Sequence, residues 1–211
     1  MRLALFASGS GTNAGAVFDA VERRQLAAEV ALVVSDRPRA GALDRATARG
    51  VPTAVVAPGD YPDEGGFARA LLDVLAAHEV DTVALAGYLR RVPDPVVWAF
   101  EGRMLNVHPS LLPAFGGPGM YGRRVHEAVL AYGCRVSGAT VHLVDAGLDT
   151  GPVVLQEAVA VHADDTPETL AAAVLAVEHA LLPRALRLLA AGRLRVSGRL
   201  VTIDGDPASF R

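Results

Sequence analysis

Three polar residues in the second half of the chain could carry out proton transfer: Asn106, His108 and Asp149. Asn106 and His108 end a short aliphatic run, and the alternation of a β-strand places both side chains on one face. An amide N–H₂ can donate to a developing oxyanion, while an imidazole exchanges protons near neutral pH. If the Asp149 carboxylate reaches His108, it favours the imidazolium. Each residue alone has an ordinary structural explanation, so the prediction depends on all three together.

A glycine-rich loop near the start of the chain, residues 8–13 with the sequence SGSGTN, could bind an anion. Its glycines allow close backbone approach, and the free N–H groups at the start of the following helix attract negative charge. The spacing of Gly9, Gly11 and Ala14 also fits a dinucleotide fingerprint, with Asp36 where a ribose-binding acid would lie. Taken alone, the loop favours NAD over a monophosphate, with a ligand-free tight turn as the third interpretation.

Short aliphatic runs alternate with longer segments of helical periodicity, which is typical of a parallel sheet flanked by helices. The predicted strands are residues 3–7, 30–35, 53–56, 82–86, 104–108, 136–144 and 153–161, and the predicted helices are residues 13–24, 39–49, 66–78, 95–100, 125–131 and 167–189. Strands at 194–196 and 200–203 predict a C-terminal hairpin. The predicted fold is therefore an α/β, Rossmann-like, open and mostly parallel sheet with a small C-terminal β-hairpin.

Composition excludes several classes of function. The net charge is −3, only 20% of residues are charged, and the basic residues are scattered, so neither disorder nor nucleic-acid binding is expected. Cys134 is the single cysteine, the six histidines lack metal-ligand spacing, and no window was expected to reach the ~20 apolar residues of a membrane span. We therefore expect a soluble, cytoplasmic protein without a metal, a nucleic-acid partner or a membrane partner.

Residues 109–122 contain four glycines and three prolines and predict a long irregular loop, a candidate lid over a site.

The segment 105–113, LNVHPSLLP, together with the later Asp149-Thr150-Gly151-Pro152, resembles the signature of folate-dependent formyltransferases. Residues 8–13, 83–90, 147–156 and 178–179 resemble one branch of that family, which formylates 5-phosphoribosylglycinamide in purine synthesis. The resemblance extends in order over nearly the whole chain.

The resemblance implies an enzyme that transfers the formyl group of 10-formyltetrahydrofolate to the amine of 5-phosphoribosylglycinamide, also called glycinamide ribonucleotide. It assigns catalysis to Asn106, His108 and Asp149, substrate binding to Gly11, Thr12, Asn13 and Glu178, and folate binding to Leu89, Arg90, Arg91, Val92 and Asn106. It further implies one formyltransferase domain over residues 1–211, with a phosphate-binding half at about 1–100 and a folate and catalytic half at about 101–211. No metal is implied, and a monomer or weak homodimer is expected.

The chain departs from the family pattern at two places, one of which is the apolar Leu175, where some relatives have a polar ligand-binding side chain. Many relatives carry a basic residue where this chain has Asp63-Glu64, so that ligand contact is either missing or supplied by another residue such as Arg69 or Arg91.

Three rival functions remain besides the NAD-dependent oxidoreductase. A formyltetrahydrofolate hydrolase is expected to carry an additional N-terminal domain, and a methionyl-tRNA formyltransferase an additional C-terminal one. The third is a non-enzymatic nucleotide-binding module.

Overall fold

A computed structural model describes residues 1–205, which form two compact units divided between Asn106 and Val107. In the first unit, parallel strands alternate with helices. Its elements are β1 (Arg2–Phe6), α1 (Thr12–Glu22), β2 (Glu29–Ser35), α2 (Gly41–Thr47), β3 (Thr53–Val55), α3 (Glu64–Ala77), β4 (Thr82–Leu85), α4 (Asp94–Ala99) and β5 (Met104–His108), whose last two residues belong to the second unit. The strand order is β3-β2-β1-β4-β5, with every pairing parallel.

The interior of these strands is almost entirely aliphatic because helices cover parallel sheets on both faces. Residues 3–6 of β1 and residues 32–34 of β2 have no exposed surface. Parallel strands also bring their carboxyl ends to one edge of the sheet, where ligands collect in open α/β folds. The glycine loop follows β1, Asp36 follows β2 and residues 86–92 follow β4, so these three polar segments lie at this edge.

The second unit begins with the end of β5 and continues through α5 (Arg123–Tyr132), β6 (Val136–Leu143), β7 (Val153–Ala160), α6 (Pro167–Ala190), β8 (Leu194–Ser197) and β9 (Leu200–Ile203). β6 follows β5 in the sheet and pairs antiparallel with β7, while β8 and β9 form a separate antiparallel hairpin. The predicted fold class, a mostly parallel sheet flanked by helices with a C-terminal hairpin, is confirmed.

Helix α6 corrects one expectation from the sequence. By length and composition its 24 residues could cross a membrane, although no segment was expected to do so. Its hydropathy is high because alanines occupy much of the face opposite the buried leucines. In this structure α6 packs on β6, β7 and α5 through that buried stripe. A capping box between Thr166 and Thr169 begins the helix, with Pro167 at its first position as predicted.

Several predicted boundaries were wrong by one or two residues, and two of these differences have a clear physical cause. Helix α3 was predicted from Gly66 but begins at Glu64, because the Asp63 carboxylate accepts a hydrogen bond from the Gly66 N–H at 2.7 Å and caps the helix. Helix α1 was predicted to extend to Arg24 but ends at Glu22, since Arg24 has a φ of 58°. A left-handed residue ends an α-helix.

Candidate active site

The glycine loop has the geometry of an anion site. Gly11 is the N-cap of α1 and has a φ of 70°. A Cβ at this position would lie 2.5 Å from the Ala42 Cα, so only glycine fits. Gly11 has no side chain and gives no side-chain cap to the first turn of α1, which contains Thr12 and Asn13. The backbone N–H groups at a helix start are suited to a phosphate.

Asp36 does not have the environment that a dinucleotide site requires. Its side chain has no exposed surface, and its Oδ2 accepts a hydrogen bond from Arg90 Nε at 2.9 Å. A ribose-binding acid has to present its carboxylate to the ligand. The ion pair with Arg90 buries the carboxylate instead, which argues against the NAD interpretation of the loop.

The segment predicted to bind folate, residues 89–92, follows β4 at the same edge of the first unit. Leu89 is exposed, Val92 is buried, and the Leu89 N–H donates to Ser8 Oγ at 2.8 Å. The Ser8 N–H in turn donates to the Gly87 carbonyl at 3.0 Å. These two hydrogen bonds connect the glycine loop directly to the segment after β4.

Asp63 and Glu64, which depart from the family pattern, both have partners within the first unit. Glu64 forms an exposed ion pair with Arg91 at 3.3 Å, and Arg91 also contacts Asp94. Asp63 is occupied as the cap of α3. Arg91, one of the two residues suggested to replace the missing basic contact, is therefore held between two carboxylates in this structure.

Strand β5 carries Asn106 and His108 two positions apart, Asn106 half-buried and His108 buried. Within the second unit, His108 Nδ1 lies 3.5 Å from Asp149 Oδ2, and His108 Nε2 lies 2.9 Å from the Phe115 carbonyl oxygen. A carbonyl can only accept, so Nε2 carries hydrogen. A carboxylate also only accepts, so both ring nitrogens of His108 face acceptor groups.

Asp149 is fixed by backbone geometry. It has a φ of 57°, a left-handed conformation that is uncommon outside glycine, and its Oδ2 accepts the Gly117 N–H at 2.9 Å. The preceding turn is closed by Asp145, whose carboxylate accepts hydrogen bonds from the Gly147 N–H at 3.1 Å and the Thr150 hydroxyl at 2.7 Å. These contacts aim the Asp149 carboxylate at His108.

The base of the loop at residues 109–122 is anchored on β6. The Thr140 hydroxyl donates to the Ser110 carbonyl at 2.6 Å and accepts the Leu112 N–H at 3.0 Å. Gln156 adds a hydrogen bond to the Leu112 carbonyl at 2.8 Å. Beyond this anchor, Phe115 has a φ of 54°, which is a sparsely populated backbone conformation. The carbonyl that contacts His108 is the one of this residue.

Two further histidines, His126 and His142, belong to this environment, although they received no chemical role from the sequence. His142 Nε2 lies 3.8 Å from Asp149 Oδ1. Burial lowers the pKa of His142, against the opposing effects of the Leu143 carbonyl and the Asp149 carboxylate. Burial also lowers the pKa of His126, and the nearby His108 lowers it further. No sequence pattern connected His142 to Asp149.

Glu178 lies on the buried stripe of α6, between Val174 and Leu181. An ionised carboxylate in that position is costly unless polar groups surround it, so hydrophobic packing alone does not explain a glutamate there. The contacts within each unit thus bring His108 together with Asp149, and the glycine loop together with residues 87–89. The structure also adds contacts that the sequence did not indicate: the Phe115 carbonyl, the Gly117 N–H and His142.

Comparison with known proteins identifies the family of the chain. A model of the formyl transferase family matches residues 1–186, and the chain belongs to this family. The chain is 41% identical over 193 residues to the chloroplastic phosphoribosylglycinamide formyltransferase of Vigna unguiculata, covering 92% of this chain and 62% of that protein. It is 37% identical over 188 residues to the phosphoribosylglycinamide formyltransferase of Bacillus subtilis, covering 89% of this chain and 94% of that protein.

Solved structures give the same result. Glycinamide ribonucleotide transformylase 1 from Symbiobacterium toebii superposes with a TM-score of 0.91 at 45% identity, covering 96% of this chain and 93% of that one. The resemblance to folate-dependent formyltransferases expected from the sequence is confirmed. The chain spans about 62% of the length of the chloroplastic relatives that it matches.

Proposed function

We propose that this protein transfers the formyl group of 10-formyltetrahydrofolate to the amine of 5-phosphoribosylglycinamide, giving formylglycinamide ribonucleotide and tetrahydrofolate in purine synthesis. The observation that carries the proposal is the environment of His108, whose two ring nitrogens face the Asp149 carboxylate and the Phe115 carbonyl. It supports a cationic donor for a developing oxyanion. Family membership and the names of the relatives support this choice of substrates.

The proposed reaction begins when the substrate amine attacks the formyl carbon. A C–N bond forms, and the formyl oxygen becomes the oxyanion of a tetrahedral intermediate. Asn106 and protonated His108 stabilise this oxygen, each by up to a few kcal/mol in the transition state. Asp149 supports the positive charge on His108. Collapse of the intermediate breaks the bond to the folate nitrogen, which takes up the proton that the attacking amine loses.

This role requires one rearrangement. In the structure the hydrogen on His108 Nε2 is donated to the Phe115 carbonyl, so the formyl oxygen has to replace that carbonyl as acceptor. Phe115 lies beyond the anchor on Thr140 and has a left-handed backbone. A strained residue in a glycine-rich loop is suited to exchanging one contact for another. The proposed lid at residues 109–122 therefore acts on His108 directly.

The remaining assignments extend the proposal to the ligands. Gly11, Thr12 and Asn13 hold the substrate phosphate at the start of α1, and Glu178 binds the ribose end of the same substrate. Residues 89–92 and Asn106 bind the formyl folate. Part of the acceleration then comes from holding the amine and the formyl carbon in position to react.

We further propose the following domain organisation, location and partners. Residues 1–211 work as one formyltransferase domain, which acts as a monomer or weak homodimer in the cytoplasm. Asn106, His108 and Asp149 supply the polar chemistry, and the proposed reaction has no step assigned to a metal. The partners are the two small-molecule substrates.

A spectroscopic assay with purified protein, 10-formyltetrahydrofolate and 5-phosphoribosylglycinamide tests the proposal. We expect tetrahydrofolate to form only when both substrates are present. Formation of tetrahydrofolate without the amine substrate would identify a hydrolase instead. Absence of turnover with both substrates, in a protein shown to be folded by circular dichroism, would refute the proposal.

A further inference from the structure

Three consecutive residues after β4 are each held by a different group of the first unit. The ring of Tyr88 packs edge-on against Phe6 of β1, with ring centroids 5.2 Å apart. The Leu89 N–H donates to Ser8, the first residue of the glycine loop. The Arg90 side chain pairs with Asp36 at the end of β2. The start of the segment assigned to folate is therefore fixed by an aromatic contact, a backbone hydrogen bond and an ion pair.

The Asp36 carboxylate is the unusual member of this set. Its side chain is completely buried, whereas Arg90 is 54% exposed. A second guanidinium, that of Arg37, approaches Asp36 Oδ2 only to 3.8 Å, and Asp36 Oδ1 has no hydrogen-bond partner among the described residues. Burying a carboxylate is costly, and hydrophobic residues of similar size often stabilise a fold as well. The pair with Arg90 is thus poorly explained by stability alone.

Tyr88 belongs to the same polar group. Its hydroxyl is buried and has no hydrogen-bond partner in the part of the chain that the structure describes. Burial raises the pKa of the Tyr88 phenol, and the Asp36 carboxylate raises it further. The phenol therefore keeps its proton. The Asp36 carboxylate thus has two cationic neighbours, Arg90 and Arg37, and one neutral neighbour, Tyr88.

We propose that Asp36 is a positioning residue, which holds Arg90 and through it fixes residues 89–92 in the conformation that binds formyl folate. The inference rests on the proposed function, because that function assigns these residues to the folate. Asp36 does not touch the ligand in this account. It removes conformational freedom from the segment before binding, so that the folate does not have to order it.

The test compares Asp36→Asn, Arg90→Gln and the double variant, with Glu29→Gln as a control. Asparagine keeps the size of Asp36 but removes the charge, and the double variant leaves no buried carboxylate without a partner. Glu29 pairs with Arg2 at 2.9 Å on the surface of the same unit, far in sequence from residues 87–92. The control therefore removes an ion pair without touching the segment.

We expect Asp36→Asn to raise the KM for 10-formyltetrahydrofolate about tenfold, as the loss of a charge-assisted hydrogen bond can do. Its kcat should change less than about twofold, because the catalytic groups are elsewhere, and Glu29→Gln should leave both constants at wild-type values. In the double variant the KM should stay within about twofold of the larger single effect, because both substitutions break the same contact.

Two results would overturn the inference: an unchanged folate KM in Asp36→Asn, or single effects that multiply in the double variant. Calorimetric titration of 10-formyltetrahydrofolate without the amine substrate provides a readout that does not require turnover. If wild-type protein binds the folate but gives no product, the proposed function fails while the Asp36 inference is still decided by the titration. If the variants bind as tightly as wild type in an active enzyme, the inference alone fails.

Discussion

The two compact units hold their functional groups by different means. In the first unit, the groups assigned to binding lie at the start of α1 and in short segments that directly follow parallel strands, so regular secondary structure borders each of them. In the second unit, His108 is oriented by the Phe115 carbonyl and by Asp149, and both residues have left-handed backbones in irregular segments. The binding geometry thus depends on the sheet, whereas the catalytic geometry depends on loops.

This difference predicts how each unit responds to substitution. Apart from Asn106, which is the last residue of the first unit and is also assigned to catalysis, changes in the first unit should weaken binding and raise KM, because a displaced strand end misplaces the ligand. Changes around His108 should lower kcat, because they remove charge stabilisation from the transition state.

The largest effect is expected for His108→Ala, which removes the proposed cationic donor. We expect kcat to fall about 10³-fold, within the usual range for a general acid–base residue, with both KM values changed less than about threefold. Steady-state kinetics with both substrates measure this. His162→Ala, which alters an exposed histidine before α6, should retain wild-type turnover. Near-wild-type kcat in His108→Ala would show that the second unit does not carry the chemistry.

A smaller loss of kcat, about 10²-fold, is expected for Asp149→Asn, since the neutral amide no longer favours the charge on His108. The Gly117 N–H can still donate to the amide oxygen, so the loop contact survives. Asp164→Asn, at an exposed position, is the matched control. Equal kcat in the Asp149 variant and the wild type would contradict the role of the 3.5 Å contact.

In the first unit, Gly11→Ala should act on binding. The new Cβ would collide with Ala42, so the start of α1 has to shift, and we expect the KM for 5-phosphoribosylglycinamide to rise at least about tenfold, or 1.4 kcal/mol. Gly50→Ala is the control variant, because it introduces backbone strain without a collision. Gly50 also has a left-handed φ, of 69°, but open space around it. Should both variants raise this KM equally, the anion site would not be at the start of α1.

The smallest effect concerns stability and pH. The pKa values of buried His126 and His142 are below the usual 6.5, so the unfolded chain binds protons that the folded protein does not. Stability should be highest above pH 6.5 and fall as the pH drops below that value, through the folded-state pKa values. Urea unfolding at pH 7.5 and 5.5 measures the loss, which His126→Gln should reduce. A variant with the full wild-type loss would exclude His126 as a contributor.

The same contrast explains what could be predicted from the sequence. Strand and helix periodicity predicted the sheet and its hairpin, and alternation along β5 placed Asn106 and His108 on one face. The Asp36–Arg90 pair could not be foreseen, because it joins residues 54 positions apart after different strands. The Phe115 and Gly117 contacts are made by backbone atoms, which leave no side-chain pattern to read. The membrane-like composition of α6 was also missed, although it is visible in the sequence.

The fate of the formyl carbon tests the central claim most directly. Wild-type protein would be incubated with 10-formyltetrahydrofolate carrying a ¹³C-labelled formyl group and with 5-phosphoribosylglycinamide, and the products followed by mass spectrometry and ¹³C NMR. The account predicts that the label appears in the formamide of the ribonucleotide product, in equal amount to the tetrahydrofolate released. Label recovered as free formate, or left on the folate, would contradict it.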